Sequence, residues 1–300
     1  MAPLRSVAAN NWRGIGLMLL STLCFSVMHA SIRHMSASLH PFEIAFFRNL
    51  FGLLVVLPWF VRDGLAPLKT SRLRLHGLRA ALNTVAMLSF FMALSLTPLT
   101  DVTALAFAAP VFATVLAILV FRETVGIRRW SAIALGFAGT LVVLRPGFQQ
   151  VGMGPMLALG ASLTWAFVLL VIKELGRSDS SVTITTYMQL FMAPLSLVAA
   201  LFVWRTPDLA HVPWLVGIGL AGGCGQLLMA QALRQADTNV VMPFDFCKLI
   251  WVTVIAYVAF GEVPDGFTWA GGTMIFMSAA YIAYRERDRG RVVPAVSPPN

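Results

Sequence analysis

Two halves of this 300-residue chain follow the same plan. Matching residues run in the same order through both halves at a constant offset: Ala93-Leu94 with Ala232-Leu233, Phe107 with Phe246, Thr114-Val115 with Thr253-Val254, Phe121-x-Glu123 with Phe260-x-Glu262, and Trp130 with Trp269. Both copies lie in strongly apolar sequence. A duplicated apolar half is typical of membrane transporters that are built from two repeats.

The composition excludes a soluble globular protein. Hydrophobic residues make up 58% of the chain and charged residues 12%, well below the roughly 25% charged residues of a soluble domain. A net charge of +9 would suggest nucleic-acid binding in a soluble protein. In a membrane protein the same charge indicates basic cytoplasmic loops, so we expect no nucleic-acid partner.

The apolar runs predict ten membrane-spanning helices, because each crossing needs about 20 residues. The predicted spans are Gly14–Ile32, Phe42–Phe60, Gly77–Leu96, Val102–Phe121, Trp130–Leu144, Met153–Ile172, Val182–Trp204, Pro213–Leu233, Asn239–Phe260 and Phe267–Tyr284. This is an all-α integral membrane protein, with residues 1–300 as one transmembrane domain. The two five-helix repeats span residues 14–145 and 152–285, and residues 286–300 are predicted to be a disordered cytoplasmic tail.

The distribution of basic residues predicts the orientation. All loop Lys and Arg residues lie on the side of the N-terminus except Arg33, Arg145 and Arg205. The positive-inside rule therefore places both termini of this multi-pass protein in the cytoplasm. Since each repeat has an odd number of spans, the second repeat starts from the opposite face. Two inverted repeats then enclose a central cavity and work by alternating access.

Nearly the whole chain resembles the EamA-type exporters of the drug/metabolite transporter superfamily. The first copy carries Phe121-Arg122-Glu123, then Trp130, Gly136 and Gly139, and the second carries Phe260-Gly261-Glu262, then Trp269 and Gly271-Gly272. Arg48 matches the arginine that is usual in the second helix. The resemblance implies a ten-helix exporter of small metabolites in the bacterial inner membrane, most similar to bacterial exporters of aromatic and other neutral amino acids.

The most informative polar residues are Asp245 and Lys248 in the ninth span. A charge near the middle of a bilayer is costly unless it is paired or hydrated, so such residues suggest function. Spaced three apart, the two can form an ion pair that stabilises the helix. Alternatively, Lys248 meets the carboxylate and Asp245 the amine of a zwitterionic substrate. The matching positions, Ala106 and Ala109, are neutral, which favours the second interpretation.

Further candidates for substrate binding lie within the spans, and each also has a purely structural interpretation as a packing or helix-bridging residue. Polar and titratable side chains can donate to a substrate, while aromatic and methionine side chains can form an adaptable wall. They are His29, Asn83, Met87, Trp165, Gln226, Met229, Phe244 and Trp251. Arg48, Glu123 and Glu262 are assigned to structure and topology instead, with anion recognition left open for Arg48.

Other functional classes fit poorly. The chain has neither a His-Glu-x-x-His nor a Gly-x-Ser-x-Gly motif, so we expect no enzyme and no cofactor or metal. A channel needs a ring of repeated selectivity groups. The alternatives are carriers of organic anions or phosphate esters, or of a cationic drug or quaternary amine. The expected partners are a small molecule such as an amino acid, the lipid bilayer, and protons as candidate coupling ions, in a monomer or weak dimer.

Overall fold

The computed structural model describes residues 4–64, 68–121, 127–144, 152–175, 178–179, 181–235 and 241–290. These residues form eleven α-helices and no strand. The helices are α1 (Leu4–Met35), α2 (Pro41–Asp63), α3 (Leu73–Leu96), α4 (Leu99–Ala106), α5 (Ala109–Phe121), α6 (Ile127–Leu144), α7 (Met153–Leu175), α8 (Ser181–Leu201), α9 (Val212–Gln235), α10 (Cys247–Phe260) and α11 (Gly266–Gly290). Two 3-10 segments cover Leu209–His211 and Met242–Phe246.

The eleven helices make ten spans, because α4 and α5 together form the fourth span. The ninth span consists of the 3-10 segment Met242–Phe246 followed by α10. By length and composition alone, five helical stretches in the described residues can cross a membrane. They are Trp12–Met35, Leu73–Leu96, Met153–Ile172, Thr183–Leu201 and Leu209–Met229. The predicted all-α membrane architecture with ten helices is confirmed.

Some helices extend beyond the predicted spans. α1 starts at Leu4 instead of Gly14, and α11 continues to Gly290, so residues 286–290 of the predicted tail are helical. Residues 291–300 lie outside the described residues. An apolar run in the sequence marks only the part of a helix that lies in the hydrocarbon region of the bilayer. Backbone hydrogen bonds continue the same helix into polar sequence, where hydropathy gives no signal.

The second repeat is inverted relative to the first. We call the end of the bundle where α1 begins the near end, and the end where α1 finishes the far end. At the far end, Arg33 of α1 bonds to the carbonyl oxygen of Thr97, which follows α3. Gly154, at the start of α7, packs against the same Thr97. The first helix of repeat two therefore begins where the first helix of repeat one ends.

The helix packing shows the same two-fold relation. α1 packs on α9, and their counterparts α7 and α3 also pack together. The α2–α9 contact is likewise repeated by α8 and α3. The pairs α2–α8 and α6–α11 each join a helix to its own counterpart. The largest contacts thus cross between repeats, so the two halves interlock around a shared axis.

Glycines allow α6 and α11 to approach closely. A Cβ at Gly139 would lie 2.7 Å from the carbonyl oxygen of Gly271, and one at Gly271 would lie 2.5 Å from the carbonyl oxygen of Gly139. Near this crossing the Ser278 hydroxyl donates to the Ala132 carbonyl at 2.6 Å. Small residues that bring backbones together replace the hydrophobic effect as the source of helix association in lipid.

Candidate substrate-binding site between the repeats

The fourth and ninth spans change conformation at matching places. α4 ends at Ala106, α5 begins at Ala109, and the ninth span is a 3-10 helix over Met242–Phe246. The matching residues Phe107 and Phe246 touch there, with ring centroids 4.6 Å apart. Two equivalent residues can touch only near the axis that relates the repeats, and in inverted repeats this axis lies in the membrane plane. The Phe107–Phe246 contact therefore marks the middle of the bundle.

Lys248 lies beside this contact. Its ammonium nitrogen is 5.2 Å from the centroid of the Phe107 ring, a cation–π distance. The Ser26 hydroxyl of α1 donates to the Thr22 carbonyl at 2.7 Å and also lies 3.3 Å from the Lys248 carbonyl oxygen, so the start of α10 lies beside α1. The lysine is half-buried. The structure thus places Lys248 beside the contact that marks the middle of the bundle, and its role in substrate binding stays a prediction.

Asp245 and Lys248 do not form the ion pair that their spacing allows. Among the residues that the structure describes, ion pairs occur elsewhere, and Lys248 extends towards Phe107 instead of Asp245. The half-buried Asp245 lies in the 3-10 segment Met242–Phe246, whereas Lys248 lies in the first turn of the α-helix that follows. The two opposite charges are therefore separate, and each is left to interact with another group.

His29 joins the same region from α1. It is 8% exposed, and its ring lies 4.9 Å from the ring of Phe90 on α3. Its Nδ1 atom has no hydrogen-bond partner within the described ranges. Its neighbours on α1 reach towards both cations: a Cβ at Gly222 would lie 2.7 Å from the Met28 sulfur and 3.0 Å from Arg48 Nε, and the Ser26 hydroxyl lies 3.3 Å from the Lys248 carbonyl oxygen. Helix α1 thus lies beside both the arginine of α2 and the lysine of α10.

Trp251 lies one turn after Lys248 on α10 and is half-buried. Its indole Nε1 atom is buried, and no described residue accepts a hydrogen bond from it. An indole N–H in an apolar setting normally finds a partner. Trp251 therefore offers both an aromatic face and a free donor on the helix that carries Lys248.

Asn83 and Met87 lie on α3 in a separate cluster. The Asn83 amide donates to the Met192 sulfur of α8 at 3.1 Å, and Met87 receives a long contact of 3.7 Å from the amide of Asn49. These contacts bridge helices, as the structural interpretation of Asn83 expected. The roles of Asn83 and Met87 in substrate binding stay predictions.

The remaining candidates are more dispersed. Met229 and Phe244 pack against a cluster formed by Met18, Ala232 and Val241. Trp165 on α7 and Gln226 on α9 are half-buried, and no described contact links either to Lys248. Glu123 lies outside the described residues.

A cavity of about 770 Å3 lies at the far end, away from Lys248. It is lined by the α1–α2 connection, the end of α3 and the segment that follows α8: Ser36, Ala37, Ser38, Leu39, His40, Pro41, Met92, Ser95, Leu96, Leu201, Phe202, Val203, Trp204 and Arg205. Both repeats contribute to it. We regard it as a vestibule, because the charged groups of the central site lie deeper in the bundle.

An ion pair closes another part of the far end. Arg33 of α1 pairs with Glu262 after α10 at 2.6 Å, and also donates to the carbonyl oxygens of Leu94 and Thr97 at 2.8 and 2.7 Å. The second oxygen of Glu262 accepts the Leu99 backbone N–H at 2.9 Å. Glu262 thus joins the end of the ninth span to the start of the fourth. We call this group the far-end contact.

A second group of polar residues joins the repeats at the near end. His76 of α3 contacts Asp179 of the α7–α8 connection at 2.6 Å, and both side chains are buried. Asp179 also accepts a hydrogen bond from Thr70 at 2.6 Å, and Tyr187 of α8 stacks on His76 at 4.7 Å. The hydrogen bond from Thr70 is the main reason that the pKa of Asp179 is lowered. We call these four residues the near-end contact.

The near-end contact was not predicted from the sequence. His76 and Asp179 are 103 positions apart and lie in different repeats. No local motif connects them, and their side chains lie near helix ends, where polar residues are usually exposed. The far-end contact had a partial signal, because Glu262 belongs to the repeated Phe-x-Glu motif.

Comparison with known proteins agrees with the architecture. A solved structure covering 96% of this chain and 100% of its own superposes with a TM-score of 0.61 at 18% identity, which shows the shared fold. An S-adenosylmethionine uptake transporter of Rickettsia bellii is 30% identical over 91% of this chain and 94% of its own length. A riboflavin transporter of Vibrio cholerae is 30% identical over 95% of this chain and 98% of its own length. The pseudopaline exporter CntI of Pseudomonas aeruginosa is 24% identical over 88% and 94%.

The family model of EamA-like transporters matches the chain twice, over residues 12–145 and 152–284. The family, the helical membrane architecture and the names of the relatives agree on a transporter of small metabolites, as the sequence predicted, and not on an enzyme. The relatives do not bear out amino-acid export in particular. The chain belongs to the EamA-like transporter family.

Proposed function

We propose that this protein carries a zwitterionic metabolite with an aromatic group across the bacterial inner membrane, and that S-adenosylmethionine is the first candidate. The observation that most supports this proposal is the separation of Asp245 and Lys248 near the two-fold axis. A carboxylate and an ammonium that do not neutralise each other complement an amine and a carboxylate on one ligand. Lys248 would bind the carboxylate, and Asp245 the amine or sulfonium.

Aromatic side chains support the second half of this proposal. Phe246 contacts Phe107 on one side and Phe276 on the other, at 4.4 Å. Trp251 adds an aromatic ring with a free N–H on the following turn. Such groups stack on a flat ring and donate to a ring nitrogen. Adenine provides both features.

Alternating access would proceed by rocking one repeat against the other. The far-end contact and the near-end contact each join the two repeats, so each must open when its end of the bundle opens. In this structure both contacts are formed. We propose that the near end faces the cytoplasm, together with both termini, because the basic loops lie on that side.

Relatives named for S-adenosylmethionine uptake favour this substrate. Export of aromatic or other neutral amino acids, the expectation from the sequence, is the second candidate, because Lys248 and Asp245 complement any zwitterion. Riboflavin is the third, since a relative of equal identity is named for it. These candidates differ in charge: riboflavin has no carboxylate for Lys248 to bind.

Counterflow in proteoliposomes tests the proposal. Proteoliposomes that contain the wild-type protein are loaded with an unlabelled compound and supplied with the same compound in labelled form. The compounds are S-adenosylmethionine, phenylalanine and riboflavin, each with and without a pH gradient. We expect exchange of S-adenosylmethionine that Asp245→Asn and Lys248→Met both reduce, while the lipid-facing control Ile250→Met does not. Exchange of riboflavin alone, unaffected by either charge variant, would overturn the zwitterion proposal. A stimulation by the pH gradient would add protons as coupling ions.

A further inference from the structure

Arg48 is buried in the membrane interior without a carboxylate partner. Its side chain is 7% exposed, and its Nη1 atom donates to the Asn49 side-chain oxygen at 2.7 Å. Within the described part of the chain, no ion pair neutralises it. A guanidinium stays charged under all physiological conditions. Burial also excludes the interpretation that Arg48 extends to the lipid headgroups.

The nearest carboxylate on the same helix is already occupied. Glu43, at the far end of α2, accepts hydrogen bonds from the backbone N–H groups of His40 and Arg205, at 3.1 and 2.5 Å. It fixes the start of α2 and the segment after α8. Arg48, more than one turn further along, depends on a neutral amide instead.

Both repeats hold the guanidinium in place. A Cβ at Gly222 of α9 would lie 3.0 Å from the Nε atom of Arg48, so the guanidinium packs against helix backbone that only glycine leaves open. Asn49 is fixed in turn, because its amide donates to the Ser196 hydroxyl of α8 at 3.0 Å. An arginine held by three helices has lost most of its rotamer freedom. This arrangement is the pre-organisation that recognition of a planar anion requires.

Arg48 and Lys248 both lie beside α1. A Cβ at Gly222 would lie 3.0 Å from Arg48 Nε and 2.7 Å from the Met28 sulfur of α1, and the Ser26 hydroxyl of α1 lies 3.3 Å from the Lys248 carbonyl oxygen. Asp245 is the one carboxylate in the sequence of the ninth span. Two cations and one anion leave an excess positive charge in a medium where uncompensated charge is costly. An anionic group on a ligand would remove the excess.

The shared scaffold does not require this arginine. At the constant offset that relates the repeats, the residue matching Arg48 is Tyr187 of α8, which is neutral. The second helix of a repeat thus packs with a neutral side chain at this position, and the charge of Arg48 needs a separate explanation.

We propose that Arg48 binds the carboxylate of the transported substrate together with Lys248, and so determines the specificity for carboxylate-bearing metabolites. This inference rests on the proposed function and extends it. Arginine donates two parallel hydrogen bonds to a carboxylate, whereas lysine acts as a point charge. Lys248 attracts the anionic group, and Arg48 orients it.

The test compares substrates with and without the carboxylate. In the first pair, unlabelled S-adenosylmethionine and its decarboxylated form each compete with labelled S-adenosylmethionine in counterflow. Phenylalanine and phenethylamine form the second pair. The measured quantity is the ratio of competition by the carboxylate-bearing compound to competition by its partner. We expect wild-type protein to favour the carboxylate form by about 10- to 100-fold, the value of a charged hydrogen-bonded contact. Arg48→Gln should reduce this ratio to near one, and Arg48→Lys should restore part of it.

A purely structural role gives a different result. It would weaken both members of each pair equally and leave their ratio unchanged, which overturns the proposal. Arg79→Gln is the matched control: Arg79 is also a buried arginine, but it donates to the Ile184 carbonyl at 2.7 Å near the near end. We expect it to leave the ratio at the wild-type value. Arg48→Lys decides the question if Arg48→Gln fails to fold.

Failure of this inference is distinguishable from failure of the proposed function. If Lys248→Met lowers the ratio while Arg48→Gln does not, Arg48 is excluded and the zwitterion carrier stands. If wild-type protein exchanges neither carboxylate-bearing compound, both proposals are wrong. Preferential competition by a phosphate ester would also overturn the assignment of a carboxylate.

Discussion

The two repeats share a scaffold and differ in charge. Gly139 and Gly271 make reciprocal close contacts at the α6–α11 crossing, and Phe107 and Phe246 meet on the two-fold axis. In contrast, Lys248 has its counterpart in Ala109, a buried neutral residue. Features that occur in both repeats hold the halves together. Features that occur once break the symmetry, and these are where substrate recognition is expected.

The largest effect should come from removing the unpaired cation of the ninth span. Lys248→Ala is expected to reduce transport of a carboxylate-bearing substrate more than about tenfold, since a charged contact contributes roughly 1.5–3 kcal/mol. Ala109→Ser, the matched change in the first repeat, should retain wild-type transport. The initial rate of counterflow measures both. Equal loss in the two variants would mean that the difference in charge between the repeats has no functional weight.

The crossing of α6 and α11 should be equally sensitive to an added methyl group on either helix. Gly139→Ala and Gly271→Ala each insert a methyl group where backbone already touches, so we expect each to lower the free energy of unfolding by about 1–3 kcal/mol. Gly16→Ala and Gly160→Ala meet no atom within 4 Å and serve as controls. Thermal unfolding in detergent gives the comparison. A large effect at Gly139 and none at Gly271 would contradict the direct contact of the two backbones at this crossing.

The two ends of the bundle should open independently. Asp179→Asn weakens the near-end contact, so a cysteine replacing the buried Met188 should react with a thiol reagent roughly fivefold faster, as a change of about 1 kcal/mol in a conformational equilibrium gives. Glu262→Gln, at the far end, should not speed this reaction. The native cysteines Cys24, Cys224 and Cys247 are replaced first. If both variants act alike, the contacts do not gate separate ends.

The smallest expected effect is the pH dependence of the near-end contact. The pKa of Asp179 is lower in the folded state, mainly because Thr70 donates to the carboxylate. The stabilisation is therefore complete above the ordinary aspartate pKa, and is lost as the pH falls through the lower folded value. The unfolding temperature of wild type should exceed that of Asp179→Asn at neutral pH, and the gap should narrow below about pH 4. A constant gap would exclude Asp179 as the titrating group.

Much of the fold was predictable because the bilayer restricts it. Helices that cross lipid must be apolar over about 20 residues, so the sequence reports their number directly. The repeat then predicted the inversion, since five is an odd count. The break in the fourth span was not predicted: Phe107 and Ala108 are as apolar as their neighbours, and hydropathy does not distinguish a helix from a turn packed inside protein.

The candidate site was predictable only in part. Lys248, Asp245 and His29 drew attention because charge and polarity are rare in lipid. Their position relative to Arg48 depends on which faces of α1, α2 and α10 meet, and this was not evident from spacing. The ion pair that the Asp245–Lys248 spacing allows does not form, and the Lys248 ammonium lies over the Phe107 ring of the other repeat instead.

The sequence by itself determined that the protein lies in a lipid bilayer, how many helices it has and that its two halves are related. Each of these follows from one-dimensional patterns of apolar and basic residues. The tertiary structure alone decided which residues touch across the repeats, including the contact of Phe107 with Phe246 and that of His76 with Asp179. These partners are more than 100 positions apart, and only close packing of helices selects them. For the same reason, only the folded chain reveals that Arg48 has no counterion among the described residues.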